Sequence, residues 1–202
     1  MAADPYQRDV EFIYEIGCLR LMQRTWVRFQ TPGFANNAEH SFRVAWIALI
    51  LAEREGGVDQ AKLLKMALAH DITESRAGDI DYVSRLYAER HEDEAIKDMA
   101  QGTSLEPELA DIWLEYENLA SLEAKIVKDA DYIDCDAELA EQRTRGQHDI
   151  ADAFEAARLQ VGAKLKTESG KQLWAAVRAG KPLDWIANSK NRLNGGDWKP
   201  KQ

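Results

Sequence analysis

Apolar residues recur every three to four positions over most of this chain, and nowhere do they alternate with polar ones for long enough to propose a sheet. The first such stretch runs from Asp9 to Met22, where Val10, Ile13, Ile16, Leu19 and Leu21 predict a helix. Arg24 to Ala35 sets Trp26, Val27 and Phe29 among polar residues and carries Thr31-Pro32-Gly33, so it reads as an extended connection with a turn. A second helix begins at Asn36 or Asn37, either of which can cap it. Its residues Phe42, Val44, Ala45, Ile47, Ala48, Ile50 and Leu51 are too densely apolar for a surface helix and predict a place in the core. Gly56-Gly57 stops it, and Val58 to Ala69 forms the next, with Leu63, Leu64, Ala67 and Leu68 inward.

Past a break at Gly78 the spacing predicts helices over Tyr82–Met99, Glu106–Tyr116 and Leu119–Leu139. A polar loop follows over Gln142–Asp149, then helices over Ile150–Lys166 and Ser169–Ala179, and Gly180-Lys181-Pro182 is a stop signal. With no internal repeat of fixed period, the expected fold is all-α: one helical bundle over residues 5–180, with residues 181–202 as a C-terminal arm or tail.

Composition narrows the picture without changing it. A length of 202 residues suits one core, and 45% hydrophobic with 30% charged residues describes a globular chain, not a disordered one. The best membrane candidate, Val44 to Ala52, is about half the roughly 18 apolar residues a spanning helix needs. The N-terminus lacks the regions of a signal peptide, and Cys18 and Cys135 have no CxxC partner, so reduced thiols in a cytoplasm are expected. A net charge of −9 argues against binding a nucleic-acid polymer. It leaves room for a small phosphate ester, because a single arginine pocket can hold one phosphate on an acidic protein.

The chemistry concentrates at His70-Asp71, which follows the apolar run Leu63-Leu64-Lys65-Met66-Ala67-Leu68-Ala69. A buried carboxylate beside an imidazole needs a counter-charge, and a divalent cation supplies one while using the ring nitrogen's lone pair. Further ligands must come from other helices. His40, opening the dense apolar helix, and Asp131, in Lys128-Asp129-Ala130-Asp131, are the candidates. Two imidazoles and two carboxylates form a mixed N/O set suited to Mn, Fe, Co, Ni or Zn.

This ordered set, H…HD…D, resembles the HD-domain phosphohydrolases. His70-Asp71-Ile72-Thr73-Glu74 followed by Ala77-Gly78-Asp79-Ile80 is similar to a segment of the small HD-domain 5′-deoxynucleotidases, as are Arg24-Thr25-Trp26, the stretch Asn36 to Ser41, and Lys128 to Asp131. The likeness covers roughly residues 10 to 140. It implies an HD-type helical bundle, often a homodimer, holding one divalent metal ion (Mn, Co, Mg, Ni, Fe or Zn) on His40, His70, Asp71 and Asp131. It further implies a deoxynucleoside 5′-monophosphate as substrate. Glu74, three residues beyond Asp71, would orient or deprotonate water, and Asp79 would bind the sugar or handle the leaving-group proton. Arg24 would clamp phosphate, and Trp26 would wall off the sugar so that a ribose hydroxyl is excluded. The acidic Tyr132-Ile133-Asp134-Cys135-Asp136 and the C-terminal arm depart from the family pattern.

Plainer readings stand beside these. Glu74 and Asp79 can be solvated helix-end acids, Arg24 a surface ion-pair partner, and Trp26 core filling. Lys128 can support the site or merely neutralise it, and Trp113, Tyr116 and Leu119 read as packing or a dimer face. His91 and His148 read as surface residues. A dNTP triphosphohydrolase, or a hydrolase of another small phosphate ester, remains an alternative because Arg43 and Arg76 flank the motifs. So does a non-catalytic binding module pinned by its metal.

Overall fold

The helices that carry the candidate residues begin at well-made caps. Asn36 opens α2 (Asn37–Glu55) by accepting the Glu39 N–H at 2.9 Å, while the Glu39 carboxylate accepts the Asn36 N–H at 3.1 Å. His40, Val44, Ile47, Ala48 and Leu51 then recur at helical spacing and are all buried, so the imidazole lies on the face that α2 turns to the core. Gly56 closes the helix with φ of 73°, a left-handed conformation that side-chain-bearing residues rarely adopt.

The computed structural model describes residues 4–29 and 33–187. Its remaining helices are α1 (Gln7–Ile16), α3 (Gln60–Ala69), α4 (Glu74–Ala77), α5 (Glu92–Ala100), α6 (Glu106–Glu117), α7 (Leu122–Thr144), α8 (His148–Leu159), α9 (Glu168–Ala179) and α10 (Asp184–Ala187). No strand occurs among the described residues, and no helix is long and apolar enough to cross a membrane. The all-α single-domain reading therefore holds. Helix α7 is the axis: α2 packs along it, α3 and α9 flank both, α6 lies against α3 and α7, and α5 against α6. One apolar core joins Val44 and Leu51 to Leu63, Met66, Ile96, Met99, Trp113, Ile126 and Ile133. At about 25 cal/mol per Å² of apolar surface removed from water, this burial is the main force that holds the ligand-bearing helices together.

Several expected boundaries moved, each for a visible reason. The first helix ends at Ile16 and tightens into a 3-10 helix over Gly17–Leu21. The connection expected to be extended contains a 3-10 helix, Thr25–Phe29, and Thr31 and Pro32 lie outside the described residues. The helix expected over Tyr82–Met99 starts only at Glu92. Asp81 accepts the N–H groups of Val83 and Ser84 at 2.9 and 3.0 Å and the Ser84 hydroxyl at 2.8 Å, which folds the chain into a short 3-10 turn. Val83, Leu86 and Tyr87 consequently face outward, so their helical spacing has no core to meet, while Tyr82 keeps only an edge-on contact with Trp26 and a tilted one with Phe154. Leu119 does not start α7 but follows the end of α6 in a left-handed conformation (φ 50°), its N–H returning to the Tyr116 carbonyl, and Ser121 caps α7 through the Ala124 N–H. Helix α7 also runs on to Thr144, into the segment read as a loop. Trp113 and Tyr116 are core residues, whereas His91 and His148 are exposed. Of the C-terminal arm, residues 188–202 lie outside the described part.

Candidate metal centre

Three elements deliver the candidate ligands: His40 from the first turn of α2, His70-Asp71 from the end of α3, and Asp131 from the middle of α7. Nε2 of His40 lies 3.3 Å from Nε2 of His70 and 3.4 Å from Oδ1 of Asp131. These two histidines and Asp131 each offer a ligand atom within 4.8 Å of the others'. Asp71 stands beside this trio, its Oδ2 being 3.5 Å from His40 Nε2 and 3.4 Å from His70 Nε2.

Each imidazole is held from behind. His70 Nδ1 lies 2.8 Å from the Ala67 carbonyl oxygen and His40 Nδ1 2.6 Å from Asp134 Oδ2. Both contacts place a proton on Nδ1, so Nε2 is the atom that each ring turns to the common point. Burial holds His70 below the usual imidazole range. For His40, burial and Arg24 oppose protonation, yet Asp131, Asp134 and Asp71 together hold it well above that range. The cluster therefore calls for positive charge where the ring nitrogens meet. A divalent cation fits that demand and this mixed N/O donor set.

Arg24 packs against the same carboxylates. Its Nη1 donates to Asp71 Oδ2 at 2.9 Å, and its Nε is 3.7 Å from Asp79 Oδ2, which also accepts the Thr25 N–H at 2.8 Å. Burial works against the charge of Arg24, but Asp71 and the neighbouring acids hold its guanidinium well above its ordinary value. Glu74 is buried under the first turn of α4, where Asn37 Nδ2 donates to its Oε2. Burial, with Asp71 and Asp79 nearby, pushes its carboxyl up to about 9. Neither acid is a solvated helix end.

A cavity of about 380 Å³ opens beside the cluster, lined among others by Arg24, Trp26, Asp79, Lys128, Asp131 and Phe154. Trp26 forms its aromatic wall, stacked on Phe34 with ring centroids 5.7 Å apart and met edge-on by Phe154 at 4.9 Å. Lys128 donates to Asp131 Oδ2 at 3.0 Å and also lies 3.1 Å from the Tyr116 hydroxyl. The eight candidate residues thus gather in one region. Arg43 and Arg76 do not join them: Arg43 pairs with Asp134, Glu138 and Glu141, and Arg76 with Glu15.

Sequence reasoning missed Asn37, Asp134 and Phe154, whose partners lie 37, 94 and 128 positions away by residue number, and only Asp134 gave a signal, as an unexpected acid after the late motif. The structure also gives Asp129, the near neighbour of Asp131, a separate role. Asp129 points the other way, accepting the Lys166 and Thr167 N–H groups at 2.8 Å and the Thr167 hydroxyl at 2.7 Å, and so anchors the start of α9.

A helical bundle that brings imidazoles and carboxylates from α2, α3 and α7 to one buried point, next to an arginine and an open cavity, has the architecture of a helical metal-site domain. A family model described as HD domain matches residues 16–174, and the chain belongs to that family. The 5′-deoxynucleotidase HDDC2 of Bos taurus is 34% identical over 128 residues, 60% of this chain and 62% of that protein. The 5′-deoxynucleotidase hdd1 of Schizosaccharomyces pombe is 29% identical over 187 residues, 84% of this chain and 93% of that protein. Among solved structures, a conserved hypothetical protein from Pyrococcus furiosus superposes with a TM-score of 0.73 at 28% identity, covering 85% of this chain and 99% of that one. The match to the Bos taurus protein spans less than two thirds of its length.

Proposed function

We propose that this protein is a metal-dependent 5′-deoxynucleotidase, removing phosphate from deoxynucleoside 5′-monophosphates. The observation that carries the reading is the convergence of His40, His70, Asp71 and Asp131 beside a cavity that also holds Arg24, Asp79 and Trp26. Those first four residues are the proposed ligands. A divalent cation bound there would polarise a phosphoryl oxygen and acidify water.

The protein's own groups divide the remaining work. Arg24 keeps Asp71 and Asp79 oriented and, with further N–H donors on its guanidinium, binds the substrate phosphate. Glu74 moves the proton. Arg24 and His40 pull its carboxyl down against burial, Asp71 and Asp79, and further positive charge among the ligands adds to that pull, bringing it toward the range where it can accept a proton from water. Asp79 meets the sugar side of the leaving group. Trp26, locked by Phe34 and Phe154, presents a rigid wall against C2′ that favours a deoxyribose. A cytoplasmic location and pairing into a homodimer belong to the same reading.

Arg43 and Arg76 lend the triphosphate alternative no support, because they are committed to carboxylates away from the cavity, and its remaining support is the set of basic residues Arg85, Lys128, Arg158 and Lys164 that line the cavity with Arg24. A metal-pinned binding module would have no use for a buried acid such as Glu74 beside the ligands. Phosphate and pyrophosphate release from a panel of dNMPs, NMPs and dNTPs, with Mn, Co, Mg and Zn added to metal-stripped protein, tests the proposal. Orthophosphate from dNMPs is expected. Triphosphate or pyrophosphate from dNTPs would move the protein to the other branch, and silence with every pair would favour the binding module.

A further inference from the structure

Asp134 has no part in the reaction just described, yet it is buried and ends in a chain of charges that starts at a proposed ligand. Its Oδ2 lies 2.6 Å from His40 Nδ1, and its Oδ1 accepts the Nε–H of Arg43. Arg43 is fixed in turn by Glu138 at 2.8 Å and by both oxygens of Glu141 at 2.9 Å. Arg43 follows His40 by three residues on α2, and Asp134 follows Asp131 by three residues on α7. The two helices are therefore tied to each other one turn past the ligands they contribute.

We infer that Asp134, clamped by Arg43, is a positioning residue that fixes the tautomer and orientation of His40 and thereby sets the affinity of the metal site. The inference rests on the ligand assignment above. A carboxylate accepting the Nδ1–H keeps the lone pair on Nε2 and makes the ring a stronger donor; outer partners of this kind typically contribute about 10- to 100-fold in metal affinity. His70 has only a neutral carbonyl behind it, so His40 is the stronger donor of the two.

The clamp makes an unusual variant informative. In Asp134→Asn the Arg43 Nε–H still demands an acceptor, so the amide turns its oxygen to Arg43 and its NH₂ to His40. That donor forces the proton of His40 onto Nε2, the atom needed for the metal. The variant is therefore expected to bind Mn²⁺ about 10- to 100-fold more weakly than the wild type in calorimetric titration of metal-stripped protein, and to change the visible spectrum of the Co²⁺ form. The double variant Asp134→Asn with Arg43→Met frees the amide to turn its oxygen back to His40, and part of the affinity is expected to return. A contact that only latched α2 to α7 would give no such recovery, since the second substitution removes more of the latch.

Wild-type Mn²⁺ affinity and Co²⁺ spectrum in Asp134→Asn, whatever its melting temperature, would overturn the inference while leaving the ligand assignment standing. So would a double variant weaker than the single one. If the single variant does not fold, Arg43→Gln, which leaves the contact from Asp134 to His40 but loosens its clamp, is expected to weaken Mn²⁺ binding; unchanged affinity there would overturn the inference as well. Failure of the wild type itself to bind Mn²⁺ would remove the assignment and this inference together.

Discussion

Arg24 and Asp71 are joined by a 2.9 Å hydrogen bond from Nη1 to Oδ2, so the proposed phosphate clamp and a proposed metal ligand share one carboxylate. The guanidinium neutralises Asp71 and competes with a cation for it. Arg24→Ala is accordingly expected to cut kcat/KM for dNMPs roughly 10- to 100-fold, as loss of a charged hydrogen bond would, mostly through KM. Its Mn²⁺ affinity should be undiminished. Steady-state kinetics together with a metal titration check this, and unaltered kinetics would remove Arg24 from substrate binding.

Glu74 and Asp71 sit three residues apart and should fail differently. Glu74→Gln keeps the size of the buried side chain and an acceptor for Asn37 while losing the proton-transfer group. Turnover is expected to fall about 10²- to 10⁴-fold with metal content unchanged. Asp71→Ala should lose both metal and activity. Elemental analysis of the two purified variants separates them, and full metal occupancy in Asp71→Ala would refute the ligand assignment.

The raised carboxyl of Glu74 also predicts a pH dependence of folding in metal-stripped protein. Unfolded, Glu74 titrates near its ordinary 4.5; folded, at about 9. Between those values the native state holds a proton that the unfolded state has released. The contribution is complete below pH 4.5, shrinks as pH rises through the window, and is gone above about 9. His40 acts in the same direction. The part due to Glu74 is therefore the difference between wild type and Glu74→Gln in urea melts from pH 5 to 9, where the variant should decline less steeply.

Gly170 tests the anchoring of α9. A Cβ there would collide with Asp129 Oδ2 and come within 2.8 Å of Thr167 Oγ1, atoms fixed in the cap of the helix. Gly170→Ala is expected to destabilise the fold by about 1–3 kcal/mol, the usual range for overpacking, although alanine is ordinarily the better helix former. Thermal or urea melts check this. A melting temperature at or above that of the wild type would contradict the close approach.

How much of this was legible in the sequence follows from where each signal comes from. Helices α2, α3 and α7 announce themselves because their apolar faces meet one core, and His40, His70 and Asp131 ride on those faces. The stretch from Val83 to Tyr87 has the same spacing without a core behind it, so periodicity misleads there and the short-range bonding of Asp81 decides the shape. Asp134, Asn37 and Arg43 acquire their roles only when distant turns come together. Arg43 beside the early motif looks like a spare cation until Asp134, Glu138 and Glu141 arrive from 91 to 98 residues away.

Helix α7 does several jobs on successive turns. Asp129 seats α9, Asp131 faces the histidines, Asp134 backs His40, and Asp136 takes hydrogen bonds from Arg158, Trp174 and Arg178. These assignments are a matter of rotational phase, since each residue advances the helix by about 100°. One residue inserted between 129 and 136 would aim every later carboxylate at its neighbour's partner, scrambling several attachments at a stroke while leaving the composition of the segment almost untouched. Extra residues in the short turn at 145–147, which joins α7 to α8, would disturb none of those angles. This chain should therefore tolerate changes of length between its helices far better than a change of phase within this one.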